Sequence, residues 1–316
     1  MEEIKQIENF RGIRIQPMTE FWLDCYSTAI YSIMLSKCNV NKAGIYCNNY
    51  TYIFDVNEGK NLGRIYIKTD LESIEAGLLQ EKKDFYVSKE ENIANAIKGV
   101  IDDNRILMLG IDMFYGIPDT SQWNKHHIRH YIIVEGYDDE NKLFYLLETG
   151  ESGYKEYTMS YEKLSIAAQN FADLSHSYVI NSAYKFEMYD IRTIKNNAKK
   201  IIDSISNVLS HMDQLWHVES RFLVSMRDEV DTHLKSIANR QRVNQLLFRS
   251  FTNSTETLRY VEQFKALEKE YRCLRHRFLE LCDSREYMYN ERLVKECLAN
   301  LLNREAKIWD EVSKGI

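Results

Sequence analysis

The sequence predicts an α+β protein in two parts. Residues 1–189 read as a mixed part with an antiparallel sheet, and residues 190–316 as an all-α helical bundle. The first of three supporting observations is where the chain breakers fall. Both prolines and eleven of the twelve glycines lie at or before Gly153, and none lies between Tyr154 and Lys314. Gly and Pro punctuate the turns between short strands, and their absence permits long helices. The second is charge: residues 1–189 carry 19 Lys and Arg against 28 Asp and Glu, a net of −9, and the remainder 22 against 19, a net of +3. The third is a hairpin signature. His130–Tyr137 (HYIIVEGY) and Lys142–Thr149 (KLFYLLET) are β-rich runs joined by the polar loop DDEN.

The elements follow in order. FRGIRIQPMTE (10–20) suits a short strand and a turn. Leu23–Lys37 (LDCYSTAIYSIMLSK) reads as an amphipathic helix, with Asp24 as cap and Ala29, Ile30, Ile33 and Met34 on one buried face. Residues 42–55 suit a strand or a lid-like loop, and LGRIYIKT (62–69) alternates as a strand does. Residues 71–81 and 90–102 look helical. RILMLGIDMFY (105–115) is mostly apolar, as a central strand is, and residues 171–185 add a final strand. Beyond Asp190 the period is helical over 194–211, 215 to about 251 with a break within 238–242, 255–282 and 289–313. Such lengths pack as an antiparallel bundle.

Composition narrows the function. A chain of 316 residues, 44% hydrophobic and 28% charged, is long enough for one large domain or two smaller ones. No apolar run approaches the ~18 residues of a membrane span, and the acidic start MEEIKQIENFRG has no signal-peptide core. The expectation is a cytoplasmic protein that touches no membrane. The six cysteines (25, 38, 47, 273, 282, 297) form no CxxC pair and no Cys/His cluster of zinc spacing, so reduced thiols and no metal site are expected. A net charge of −6 without a basic, aromatic-interleaved stripe argues against nucleic acid. Phosphate-loop and dinucleotide glycine patterns are absent.

The chemistry-bearing residues lie far apart in number. Cys25 opens its helix, where unpaired amides and the helix dipole favour a thiolate, the nucleophilic form. A cysteine nucleophile needs a base, and the base an orienting acceptor. With the hairpin turn centred on residues 139–140, His130 and Glu148 become lateral or diagonal neighbours. On the hairpin alone, a surface cross-strand ion pair is the simpler reading. Asp112 and Tyr115 end the strand beside this point and are candidate substrate contacts. His126 and His127 precede His130 and read as exposed loop histidines. Trp22 and Trp123 flank the two halves of the site. Aromatics in such places pack more often than they recognise, and Trp22 is kept as a candidate substrate contact.

Taken together, Asp24-Cys25, the strand ending DMFYGIP with Asp112 and Tyr115, His130, the Gly136-Tyr137-Asp138 turn entry and the acidic residue at 148 resemble the papain-like family that includes C39-type peptidase domains. The closest likeness is to the N-terminal domain of the butirosin-biosynthesis acyltransferase and its relatives beside nonribosomal peptide assembly lines. It covers roughly residues 10–185. The resemblance implies a papain-like cysteine protease fold, with Cys25 as nucleophile, His130 as base and acid and Glu148 as orienter. It implies amide synthesis by acyl transfer: an acyl or peptidyl group leaves the phosphopantetheine of a carrier protein, passes through a Cys25 thioester and reaches a small-molecule amine. No cofactor of the chain's own is implied. The alternatives are a C39-like cysteine peptidase and a non-catalytic binding or resistance protein on the same scaffold; a homo-oligomer is compatible with each. Two positions depart from the family pattern. Its third catalytic member is usually Asp. Its oxyanion glutamine, about six residues before the cysteine, is Thr19 here, and the nearest glutamine, Gln16, is the candidate contact in its place.

Overall fold

The structure is a computed structural model, and it describes residues 9–37, 42–57, 62–87, 92–118, 123–150, 153–171, 175–181, 190–215, 227–251, 255–283 and 287–315. In chain order the elements are β1 (Arg11–Gly12), α1 (Cys25–Lys37), α2 (Lys42–Ile45), β2 (Tyr50–Asn57), β3 (Leu62–Thr69), α3 (Glu72–Leu78), β4 (Leu79–Phe85), α4 (Ile93–Asp102), β5 (Ile106–Asp112), β6 (Arg129–Asp138), β7 (Leu143–Gly150), β8 (Gly153–Ser160), α5 (Tyr161–Gln169), β9 (Ser175–Ile180), α6 (Ile191–Ser210), α7 (Arg227–Phe251), α8 (Thr255–Asp283) and α9 (Tyr287–Gly315). The protein is α+β, and every strand pairing is antiparallel. Among the described residues no helix is long and apolar enough to cross a membrane.

The chain forms two compact units. One takes Met1–Val40 and Glu72–Phe186; the other takes Asn41–Leu71 and Glu187–Ile316. The sequence reading ran the first part unbroken to residue 189. The late boundary agrees to within three residues, but the β2–β3 hairpin belongs with the helices.

In the first unit a sheet runs β4-β9-β5-β6-β7-β8, with β1 added on β6. Strand β5 is central, and all seven of its residues are buried, as its apolar run demands. Leu107, Leu109 and Ile111 of β5, Ile132 and Val134 of β6, and Phe144 and Leu146 of β7 make one core with Ile97 and Ile101 of α4 and with Leu164, Ala167 and Ala168 of α5. Asn92 and Ser160 start those two helices by accepting the Asn95 and Lys163 amides. Strand β4 (LQEKKDF) begins at Leu79, so the helix expected over 71–81 ends at Leu78 and residues 79–81 are strand instead. It is an edge strand with five exposed residues in a row, and charged side chains of this kind protect a sheet edge.

In the second unit β2 and β3 pair over eight residues, Tyr50 with Thr69 through Asn57 with Leu62. Helix α7 is continuous through 238–242, where a break was expected. Its Arg240 is fully buried, donating to the Cys47 carbonyl at 3.1 Å and to Thr69 Oγ1 at 3.0 Å, with its guanidinium 4.6 Å from the Tyr50 ring centroid. Glu305 of α9 is also fully buried and accepts from Tyr50, Tyr52, Gln241, Tyr271 and Trp309.

Candidate active site

The site starts at the first turn of α1. Asp24 caps it as expected: Oδ1 accepts the Ser27 amide at 2.7 Å and Oδ2 the Ser27 hydroxyl at 2.7 Å. Cys25 is thereby the first helical residue, and it is half-buried.

The helix behind it is not amphipathic. Every residue from Ser27 to Met34 is buried, so α1 is covered all round rather than on one face. Three hydroxyls make this tolerable. Thr28, Ser32 and Ser36, four residues apart, accept backbone amides of the incoming segment: Leu23 N–H at 3.3 Å, Met18 N–H at 3.0 Å and Gln16 N–H at 2.5 Å. Ser32 and Ser36 also donate to the carbonyls of Thr28 and Ser32. A buried amide without a partner costs about 1–3 kcal/mol, so the ladder lets segment 16–23 run along a buried helix and fixes the approach to Cys25. Ser32→Ala is expected to lower stability by about 1–3 kcal/mol by stranding the Met18 amide. Urea unfolding of the full chain checks this, and a wild-type midpoint would refute it.

His130 and Glu148 meet as the hairpin predicts, but in a different register. The strands pair Gly136 with Tyr145, then Val134 with Leu146 and Ile133 with Leu147. Glu135 is therefore an extra residue, a β-bulge, that shifts the pairing. Continuing that register puts Ile132 opposite Glu148 and makes His130 its diagonal neighbour. His130 Nε2 lies 2.9 Å from Glu148 Oε1, and the Glu148 side chain is only 1% exposed. Cys25 stands near enough to the same imidazole to raise its pKa. Burial works against charge on His130, but the Glu148 carboxylate and Cys25 outweigh it, and the imidazole pKa stands well above its ordinary value.

One further side chain touches this trio and a second anchors the segment that leads to it, and neither was singled out from the sequence. Tyr154 of β8 is buried and donates from its hydroxyl to the Cys25 carbonyl at 3.2 Å. Burial, then the nearby charges of Glu148, Cys25 and Asp24, push its pKa well above the ordinary phenol value. The bulged Glu135 accepts the Ile15 amide at 2.6 Å, lies 3.4 Å from Arg14 Nη1, and has its pKa raised by burial to about 7. It ties the start of the segment leading to Cys25 onto β6. The serine and threonine spacing in α1 was a usable signal for the ladder; Tyr154 and Glu135 gave none.

The other candidates separate. Gln16 is exposed, and its amide is held by Ser36, eleven residues along α1 from Cys25. That is about 16 Å at the helical rise. Gln16 therefore lies at the wrong end of the helix to serve the site, because the hydroxyl ladder runs the segment antiparallel to α1. Trp22 is half-buried in the loop just before the cap. Asp112 is buried and directs its carboxylate away from the trio: Oδ1 accepts the Phe114 amide at 3.0 Å, and Oδ2 lies 2.7 Å from His127 Nδ1. Tyr115 is half-buried, 5.9 Å from His127 between ring centroids. His127 is exposed as expected, but it is held in place. Among the described residues no group of three or more His, Cys, Asp or Glu is placed to hold a metal ion.

Protein-family models, characterised proteins and solved structures yield no match to the chain. The geometry itself therefore carries the chemistry: a cysteine at a helix N-terminus, a histidine whose ionisation it influences, and a buried carboxylate 2.9 Å from that histidine which favours its charge. Such an arrangement can activate a thiol, hold an acyl group on sulfur and return a proton to a leaving group.

Proposed function

We propose that the chain is a papain-like cysteine acyltransferase that forms amides. One observation carries the reading: the buried Glu148 carboxylate lies 2.9 Å from His130 Nε2, and Cys25, at the N-terminus of α1, is near enough to act on the same imidazole. With Nε2 engaged by Glu148, Nδ1 serves the sulfur. The raised imidazole pKa favours a protonated His130 beside the sulfur, and a thiolate is the nucleophilic form of cysteine. The thiolate attacks the carbonyl carbon of an acyl thioester carried on a carrier-protein phosphopantetheine. The new C–S bond forms, the carrier's C–S bond breaks, and His130 protonates the departing thiolate. An amine then attacks the Cys25 thioester, releasing the amide. Asp24 takes the Ser27 N–H, so the Cys25 N–H is the first-turn donor that serves the oxyanion.

Acyl transfer is preferred to peptide hydrolysis on a specific ground. The oxyanion glutamine of the peptidases has no counterpart at position 19, and Gln16 is far from Cys25. The intact mass of the full chain after exposure to an acyl N-acetylcysteamine thioester tests the reading. An acyl adduct lost in Cys25→Ala, converted to amide by a diamine, is expected. Hydrolysis without amide supports the peptidase. Iodoacetamide is expected to label Cys25 faster than the exposed Cys273. Equal rates would favour a retired scaffold that only binds.

A further inference from the structure

Cys25 is held from the sheet as well as from its own helix. Tyr154 of β8 is 2% exposed, and its hydroxyl donates to the Cys25 carbonyl at 3.2 Å. That carbonyl opens α1 and already has its helical donor, the Ala29 N–H four residues on. Its second lone pair is open to another donor but does not require one. The buried phenol therefore does more than satisfy a stranded group. Two peptide planes meet at the Cys25 α-carbon, and they are tied from different sides. The plane that carries the Cys25 N–H also carries the Asp24 carbonyl, which accepts the Thr28 amide at 3.1 Å. The plane that carries the Cys25 carbonyl is tied to β8 by Tyr154. Helix ends fray where only their own bonds hold them, and this end has an anchor outside the helix.

The anchor comes from the strand next to the one that bears Glu148. β8 pairs with β7 there residue for residue, Glu148 with Lys155 and Thr149 with Tyr154, and β7 pairs with β6. One hydrogen bond thus joins the helix of the nucleophile to the strands of the carboxylate and the base. Burial, with the charges of Glu148, Cys25 and Asp24, holds the phenol pKa well above its ordinary value, so the hydroxyl keeps its proton and remains a donor.

Resting on the acyl-transfer reading above, we propose that Tyr154 is a positioning residue: by fixing the Cys25 main chain against β8 it keeps the Cys25 N–H aimed at the oxygen of the incoming acyl group. In acylation the sulfur lone pair forms the new C–S bond and the carbonyl π pair moves onto oxygen. Negative charge grows there, and the Cys25 N–H receives it. As the carbonyl re-forms, the carrier's C–S bond breaks and the departing thiolate takes a proton from His130. Tyr154 gives up no proton in this sequence; it acts through the backbone of Cys25.

The test sets two reactions of the same sulfur against each other on the full chain. An acetyl N-acetylcysteamine thioester places charge on an oxygen, whereas iodoacetamide is attacked at a saturated carbon, expels iodide and makes no oxyanion. Tyr154→Phe keeps the ring and leaves the Cys25 carbonyl its helical donor. Its maximal rate of acetyl-adduct formation is expected to fall by on the order of 10–100-fold at an unchanged half-saturating thioester concentration, with Cys25 alkylated at the wild-type rate. Tyr137→Phe, which removes a hydroxyl bond of 2.6 Å to Asp102 at the far end of β6, is expected to leave both rates unchanged. Equal losses in the two reactions of Tyr154→Phe mark a general loss of structure and overturn the proposal. So do an unchanged acylation rate, a loss confined to the half-saturating concentration, or the same split in Tyr137→Phe. Each of these leaves the acyl-enzyme in place. Absence of any acetyl adduct on wild-type Cys25 overturns the acyl-transfer reading and this one with it.

Discussion

Glu148→Gln is expected to slow thioester formation on Cys25 by on the order of 10²–10⁴-fold and to move the alkaline limb of its pH profile to lower pH. The carboxylate is buried and 2.9 Å from His130 Nε2, and its charge is the foremost of the influences raising that imidazole's pKa against burial. Glutamine keeps the size and one acceptor but removes the charge. Burial then acts with less opposition, the His130 pKa falls, and the proton is lost from the imidazole at a lower pH. The same raised pKa makes a stability statement. A histidine whose folded pKa exceeds its unfolded value contributes stability that is fully present below the unfolded value, near 6.5, and is lost as pH rises through the folded one. Wild type should therefore lose stability on the alkaline side of neutrality, with Glu148→Gln losing less there. Stopped-flow acylation and urea unfolding across pH check the two halves. An alkaline limb unmoved by the substitution would show that Glu148 does not set the charge on His130.

The second large effect lies in the helical unit. Glu305→Ala is expected to destabilise it by about 3–5 kcal/mol. Five donors converge on this carboxylate: Tyr50 Oη at 2.8 Å, Tyr52 Oη at 2.7 Å, Gln241 Nε2 at 2.7 Å, Tyr271 Oη at 3.2 Å and Trp309 Nε1 at 3.4 Å. Removing their shared acceptor strands several buried donors and opens a void beside Trp309. Burial raises the Glu305 pKa, and the donors pull part of that rise back. A carboxyl whose folded pKa is raised contributes stability that is full below its unfolded value and lost as pH climbs through the folded one. The Ala variant should therefore lose that slope as well as stability. Chemical unfolding followed by tryptophan fluorescence measures both, and a midpoint within error of wild type would rule out the network as the unit's main polar tie.

The local parts of this architecture were legible in the sequence. Asp24 caps the turn beginning at Cys25 because a cap is decided within four residues. His130 and Glu148 meet because a hairpin decides its own cross-strand neighbours, and the pair survived the Glu135 bulge that moved the register. What depended on distant partners was not legible. The burial of α1 was misread because Thr28, Ser32 and Ser36 count as polar until the amides they receive are known. Gln16 seemed close to Cys25 by number, but the segment between them doubles back along the helix. Tyr50 and Tyr52 looked like a strand or lid, and the group that satisfies both stands some 250 residues later. The Asp112–His127 pair joins a strand end to a loop, a contact that neither alternation nor helical period reports.

The interleaving of the two units bears on how the molecule is made. The tyrosines of β2 leave the ribosome early, but Gln241, Tyr271, Glu305 and Trp309 are among the last quarter of the chain to be synthesised. The hairpin must wait, with its apolar side unmatched, while everything from Glu72 to Phe186 is translated. A gene cut at codon 189 would encode that hairpin without its helices. The papain-like reading is therefore better expressed and assayed as the whole polypeptide than as an excised front half.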